Sequence, residues 1–291
     1  MFKMPLVSFV VTSYNYEKYI LKTLESIKNQ TYKNFEIIIV DDCSSDNSYN
    51  ICENFISQNQ DLKITLFKNE KNSGQLASML RGLNCSKGQF VSFIDSDDVL
   101  YPNYCEQHVR VHLETSVAFT SCQIAEIGED DELHTLSSIS SPHSSLEVLI
   151  NCPKPQYEKL GNKRFGGWYW SPNSSAMFRR AAIENILNYK NTDKWRICPD
   201  KFLFNYANLI GGSAIIFTPL IGYRRHKHNA GECSFVTGDK RLHSDKTTYR
   251  NFVNNLNVIS ETIKFLWQER NIFGYRNLIN FIFKILKSYI I

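Results

Sequence analysis

Apolar residues come in short runs through the first hundred positions, and each run stops at a polar cluster. LVSFVVT (6–12), FEIIIVDD (35–42), KITLFKN (63–69) and QFVSFID (89–95) are β-branched or aromatic at their centres. Such runs predict parallel strands buried on both faces. Helical spacing fills the gaps between them. Ile20, Leu24 and Ile27 share one face of a helix from about Glu17 to Asn29, which Asn15 is placed to cap. SSDNSYNICENFIS (44–57) predicts a second helix, with Ile51, Phe55 and Ile56 apolar. GQLASMLRGLNCSKG (74–88) predicts a third that ends near Gly82 or at Lys87-Gly88. Strands alternating with single helices build right-handed βαβ units and a parallel sheet.

After about residue 125 the pattern loosens. Residues 126–165 are rich in Ser, Glu, Pro and Lys and read as loop, with one short helix near Leu146–Asn151. GGWYWSPNSSAMFRRAAIENIL (166–187) reads as a strand entering a helix. GGSAIIFTPLIGYRRHKHN (211–229) reads as a strand followed by a basic, His-containing loop, and 248–291 as helical.

In sheets of this kind ligands bind outside the carboxyl ends of the strands. Three polar clusters fall there: Thr12-Ser13-Tyr14, Asp41-Asp42 and Asp95-Ser96-Asp97-Asp98. Carboxylates packed so closely repel one another unless something positive sits between them. Hard oxygen ligands at a strand end suit Mg²⁺ or Mn²⁺, held by one or two carboxylates and by substrate phosphates. The chain has no G-x-x-x-x-G-K-[ST] and no G-x-G-x-x-G after its first strand, which argues against a P-loop or dinucleotide site. Tyr14 could instead stack on a base, and an Asp at the next strand end could accept the imide N–H of uracil or thymine.

Composition adds limits. A chain of 291 residues with 43% apolar and 21% charged residues is an ordinary globular protein. Its net charge of +4 is too small to argue for nucleic acid. From Arg241 onward, however, eight Lys and Arg face three acids. The eight cysteines form no C-x-x-C pair, which removes the zinc-ribbon reading. The first residues turn polar after a short apolar run, so no signal peptide and a reducing, cytoplasmic setting are expected.

Residues 7–48 and 72–103 resemble the amino-terminal signature of family 2 glycosyltransferases. The elements recur in order: T-S-Y-N, Q-T-Y-x-N-F-E, V-D-D-x-S-x-D, N-x-G-Q, K-G-Q-F-V and D-S-D-D. The resemblance is strong over roughly 5–125, weaker over 165–230 and absent after about 240. It implies the α/β GT-A fold of the nucleotide-diphospho-sugar transferases, with a mostly parallel sheet, flanking helices and here a C-terminal helical extension. Residues 1–125 would form the donor half, 126–240 the acceptor half, and 241–291 a basic amphipathic tail.

The same resemblance implies residue roles. Tyr14, beside Thr12, would stack on the uracil of a UDP-sugar, and Asp42 would hydrogen-bond the base while Asp41 closes the strand end. Asp95 would face the ribose or the metal. Asp97, with Asp98 as a further candidate, would bind Mn²⁺ or Mg²⁺, and Gly74 would line the donor cleft. Met79 departs from the Arg of many relatives. The family takes its general base from an Asp in an E-D pair opening a helix; here that Asp is Asp200, and Pro199 replaces the Glu. YRRHKHN (223–229) resembles the family's Y-R-x-H loop, so Arg224 would neutralise phosphate and His226, with His228 as an alternative, would bind metal. Trp168, Tyr169 and Trp170 would line an acceptor pocket.

These assignments describe an inverting, metal-dependent transfer to a glycan or lipid-linked acceptor in cell-surface polysaccharide synthesis. The tail would contact the inner face of the membrane or a second subunit. Q-x-x-R-W and flanking membrane helices are absent, which favours one sugar per encounter. Two other readings compete. A sugar-nucleotide pyrophosphorylase would need a G-x-G-T-R-L-like loop, which TSYNYEKY is not. A non-catalytic nucleotide-sugar-binding module is raised by Pro199 and Met79.

Overall fold

The computed structural model describes residues 4–136, 157–160, 170, 172–226 and 245–290. The predicted alternation is present: β1 (Val7–Ser13), α1 (Ile20–Lys28), β2 (Phe35–Asp41), α2 (Ser48–Gln58), β3 (Ile64–Lys68), α3 (Gln75–Cys85) and β4 (Phe90–Asp95). β1 pairs in parallel with both β2 and β4, and β2 with β3. The register sets Ser13 beside Asp41 and Thr12 beside Asp95. The polar ends of three strands are therefore level with one another.

The second half completes the same sheet. It adds β5 (Val99–Leu100), α4 (Tyr104–Glu114), β6 (Phe119–Ile127), β7 (Leu133–Leu136), β8 (Tyr157–Leu160), β9 (Ala176–Arg179) and β10 (Ser213–Arg224). The strand order is β3-β2-β1-β4-β9-β6-β10-β5, with β7 on β6 and β8 on β10. Part of the segment expected as loop is thus strand. β7 folds straight back on β6 as an antiparallel hairpin, with Leu133 opposite Ile127, and β8 pairs with the distant β10; both strands are four residues long and leave no extended apolar run. The strand expected from 166 begins at Ala176 and enters the short helix α5 (Arg180–Ile183). The helix expected near Leu146–Asn151 lies outside the described residues.

Two apolar clusters sandwich the sheet. Val7, Phe9 and Val11 of β1 join Ile20, Leu24 and Ile27 of α1 in one cluster, while Val10 joins Leu76, Met79 and Leu83 of α3 in the other. Period-two alternation along β1 divides its side chains between the faces. Gly82 does not end α3. A Cβ there would stand 2.2 Å from Val10 Cγ1, so the glycine lets the helix lie on β1. Met79 is fully buried in the same cluster, which gives its departure from Arg a packing reason.

Asn15 does not cap α1. It takes a left-handed φ of 60°, and its Oδ1 accepts the Ser45 N–H at 2.8 Å. The helix opens instead through a turn in which Tyr16 C=O accepts the Tyr19 and Ile20 N–H groups. Asn15 was thus a turn residue.

The last helices belong to the core. They are α6 (Asp200–Gly211), α7 (Asp245–Gln268), α8 (Arg270–Phe273) and α9 (Tyr275–Ile290). Val258, Phe265, Leu266, Leu278 and Ile285 are buried in one cluster with Phe202 and Tyr206 of α6. Each such side chain contributes roughly 1.5–3 kcal/mol. Glu261 accepts hydrogen bonds from Tyr189 Oη at 3.1 Å and from Lys194 Nζ, tying α7 to the segment that leads into α6.

Candidate active site

The carboxyl ends of β1, β2 and β4 present three loops, each cross-linked to a neighbour. The loop after β1 is stapled to that after β2: Ser44 Oγ accepts the Asn15 N–H at 3.0 Å and Ser48 Oγ the Tyr16 N–H at 2.9 Å. This leaves Tyr14 43% exposed, with a ring open to a ligand, and Thr12 almost buried beside it. Asp41 Oδ2 accepts the Ser44 N–H at 2.9 Å and closes its strand end.

Asp42 is buried and already serves three donors. Oδ1 accepts from Asn69 Nδ2 and Ser73 N, and Oδ2 from Gly74 N at 2.7 Å. It therefore anchors residues 69–74 to the strand end. Gly74 has φ 91°, and a Cβ on it would lie 2.8 Å from the Arg196 Cα. Gln75 N donates to Arg196 O at 3.0 Å, so this glycine presses two loops together.

D-S-D-D is a tight turn, closed by the Asp98 N–H on Asp95 C=O at 3.2 Å. Gln75 Nε2 and Asn173 Nδ2 donate to Asp95 Oδ1 at 2.7 and 3.0 Å. Burial and the neighbouring Asp97 charge, with a further push from Asp200, raise the Asp95 carboxyl to about 7. Burial, then Asp97 and Asp95, hold Asp98 well above the ordinary range, although its Oδ1 accepts the Arg224 N–H. Burial and the same three carboxylates push the Tyr16 and Tyr223 phenols upward, so both keep their O–H beside the turn.

His226 Nε2 lies 2.9 Å from Asp97 Oδ2, and its ring stacks on Tyr19 at 4.9 Å. The turn thus gathers an imidazole and a carboxylate, with two further carboxylates close enough to raise each other. Among the described residues no three His, Cys, Asp or Glu side chains form a group that could hold a metal alone. The set fits a hard divalent cation that takes one or two protein ligands and completes its shell on phosphate oxygens.

Asp200 opens α6 behind Pro199, whose C=O receives the Phe202 and Leu203 N–H groups. Pro at this position is suited to a helix start. Burial raises the Asp200 carboxyl to about 6, against the Lys201 N–H that it accepts at 3.0 Å. Its charge is felt by Asp95, so a residue of the second half faces the acidic turn of the first. Of the non-glycine residues with left-handed φ, Cys198 stands two positions before Asp200 and Cys43 directly after Asp42. Such backbone concentrates at functional sites.

Two expected roles need correction. Arg224 is fully buried and does not meet a phosphate. Its guanidinium donates to the carbonyls of Asp97 at 2.8 Å, Gly128 at 2.8 Å and Glu129 at 3.1 Å, and pairs with Asp131. It locks the acidic turn to the turn after β6. Trp170 is 4% exposed and packs between Phe119 and Phe204, with its indole N–H on Ser213 Oγ at 3.0 Å. It is a core residue, not a pocket wall. Trp168, Tyr169 and His228 lie outside the described residues.

Sequence reasoning missed Gln75, Asn173, Tyr16 and Tyr223. Gln75 stands inside the N-x-G-Q element and Tyr223 inside Y-R-x-H. Asn173, from WSPNSS, carried no signal, because only the antiparallel placement of β9 against β4 brings it to Asp95.

A sheet of this strand order with flanking helices, its polar strand ends level at one edge, is the GT-A fold. Solved structures share it. Residues 1–349 of TarS from S. aureus align over 97% of this chain and 71% of theirs, with a TM-score of 0.60 at 16% identity. The mannosyltransferase PcManGT from Pyrobaculum calidifontis, in complex with GDP-Man and Mn²⁺, aligns over 98% of this chain and 74% of its own, at TM-score 0.56 and 15% identity. The chain belongs to glycosyl transferase family 2, whose family model matches residues 8–187. The putative glycosyltransferase EpsH of Bacillus subtilis is 34% identical over 226 residues, which are 76% of this chain. The chain spans 61% of the length of that relative.

Proposed function

We propose that the protein transfers a sugar from a UDP-sugar to a glycan or lipid-linked acceptor, with inversion and with a bound Mn²⁺ or Mg²⁺. The observation that carries this reading is the acidic turn at the aligned strand ends, where His226 Nε2 lies 2.9 Å from Asp97 Oδ2 and the buried Asp200 carboxyl, raised to about 6, is near enough to act on Asp95. A general base works best with its pKa near the working pH. TarS, a structural neighbour, has been solved with UDP-GlcNAc, which supports a uridine donor.

Tyr14 stacks on the base and the Asp41–Asp42 corner receives its polar edge. Asp97 and His226 would hold the cation, and Asp95 and Asp98 would add negative field once ionised. When bound, the cation takes up charge on the leaving diphosphate. Asp200 removes the proton of the acceptor hydroxyl, which attacks the anomeric carbon from the face opposite the diphosphate. The Tyr16 and Tyr223 hydroxyls, kept protonated, remain available as donors beside the turn.

The test is thermal unfolding with UDP, GDP, dTDP and CMP, each with and without Mn²⁺. Ligand at about 100 times its dissociation constant stabilises by roughly 2.7 kcal/mol, a shift of several degrees. A rise with UDP that requires Mn²⁺ is expected. A larger rise with GDP would replace uridine as the donor base, and no rise with any nucleotide would remove the site assignment.

A further inference from the structure

α9 uses only part of its apolar surface for folding. Leu278 and Ile285 are buried, and Phe281 and Ile282 pack partly against the same cluster. Tyr275, Ile279 and Phe283 stand on another face at four-residue spacing, and they are 61%, 64% and 67% exposed. Single exposed apolar residues are ordinary, but a row of three along one helix face is not. Ile272 and Trp267, just before it, are also exposed. The stripe is rigidly mounted, because Phe273 meets Phe281 edge-on at 5.8 Å and α7 and α9 share the core of α6.

Charge identifies what covers the stripe. From Arg270 to the last residue the chain has four Lys and Arg and no acid. Arg276 and Lys284 are exposed on the same helix. A second copy on this face would set like charges against each other. Three part-exposed side chains also offer on the order of 400 Å² per partner, against about 800 Å² for a stable interface. An anionic lipid surface answers both features, with headgroups for the cations and acyl chains for the stripe. No helix among the described residues is long and apolar enough to cross a membrane.

We propose that α9 lies in the plane of an anionic membrane, with Tyr275, Ile279 and Phe283 in the acyl boundary and Arg276 and Lys284 at the headgroups. The inference stands apart from the sugar-transfer reading, since it uses neither the crevice nor its carboxylates.

The test is co-sedimentation of the full chain with phosphatidylcholine vesicles, with and without about one-third phosphatidylglycerol, at low and high salt. Binding to the anionic vesicles that weakens with salt is expected. Ile279→Asp with Phe283→Asp should lower it about 10²-fold or more. Arg276→Gln with Lys284→Gln should lower it on the order of 20-fold. All four side chains are exposed, and an unchanged unfolding midpoint confirms folded variants. Equal binding to neutral vesicles, unweakened binding by the stripe variants, or no binding to either vesicle would overturn the proposal. So would a concentration-dependent dimer that the stripe variants abolish, which would assign the face to a second copy.

Discussion

Replacing Asp200 by Asn removes the proposed base while keeping its shape and its hydrogen bond from the Lys201 N–H. A positioned base contributes about 10²–10⁴ in rate, or roughly 2.7–5.5 kcal/mol of barrier. The Asp200→Asn variant should lose kcat by that factor. UDP affinity in Mn²⁺ should hold or tighten slightly, because the Asp200 charge that raises Asp95 has gone. The pH profile gives a second readout. With the carboxyl at about 6, nine-tenths of Asp200 is ionised at pH 7 and about a tenth at pH 5. The acid limb of kcat/KM should therefore fall at least tenfold between those values, and more steeply where Asp95 must also ionise. UDP release from a UDP-sugar, with water or a simple glycoside as acceptor, reads the rate, and calorimetry reads UDP binding. A variant within threefold of the parent would move the base elsewhere. A variant that lost UDP affinity together with rate would make Asp200 part of the donor site.

Metal binding should depend on pH. Folded Asp95 keeps its proton up to about pH 7, whereas an unfolded Asp loses it near pH 4. The folded state thus holds more protons in that window, so the metal-free protein loses stability as pH rises through it, and Mn²⁺ with UDP should offset the loss. Mn²⁺ affinity in the presence of UDP should rise from pH 6 to pH 8, and a flat titration would place the cation away from the turn. Trp170→Ala should cost about 3–5 kcal/mol of stability, read by denaturant unfolding, while UDP affinity stays unchanged. Unchanged stability with a raised acceptor KM would return that ring to substrate.

The first half of the fold was legible because each parallel strand is an apolar run and each crossover helix carries its own period. In the second half the strand of 213–224 and the C-terminal helices were legible in the same way, but the strands within 126–165 were not. β7 is a four-residue hairpin return on β6, too short and polar to show an alternating pattern, and β8 is held by backbone groups of β10 more than fifty residues on, a stabilisation that leaves little trace in side chains. The same distinction applies within the site. Asp41, Asp95 and Asp97 were visible because acids ending a buried strand conflict with local preference. Arg224 and Trp170 were misread because an Arg beside acids and a Trp near a loop look functional until burial is known. Here the Arg has carbonyl partners and the Trp a hydrogen-bonded place in the core, which removes both from solvent.

The placement of Arg224 explains how the acidic turn is held without a countercharge laid across its carboxyl groups. A guanidinium laid across Asp95, Asp97 and Asp98 would neutralise them in the resting protein and occupy the position of a cation. Instead the guanidinium donates to the Asp97, Gly128 and Glu129 carbonyls and pairs with Asp131, while the Arg224 backbone N–H donates to Asp98. The turn is fixed without that countercharge. Neutral amides from Gln75 and Asn173 orient Asp95 in the same way. The repulsion that remains is relieved by protons, which accounts for the raised Asp95 and Asp98 carboxyls. A cation arriving with a diphosphate would displace those protons, so metal-dependent donor binding would release protons and strengthen as pH rises.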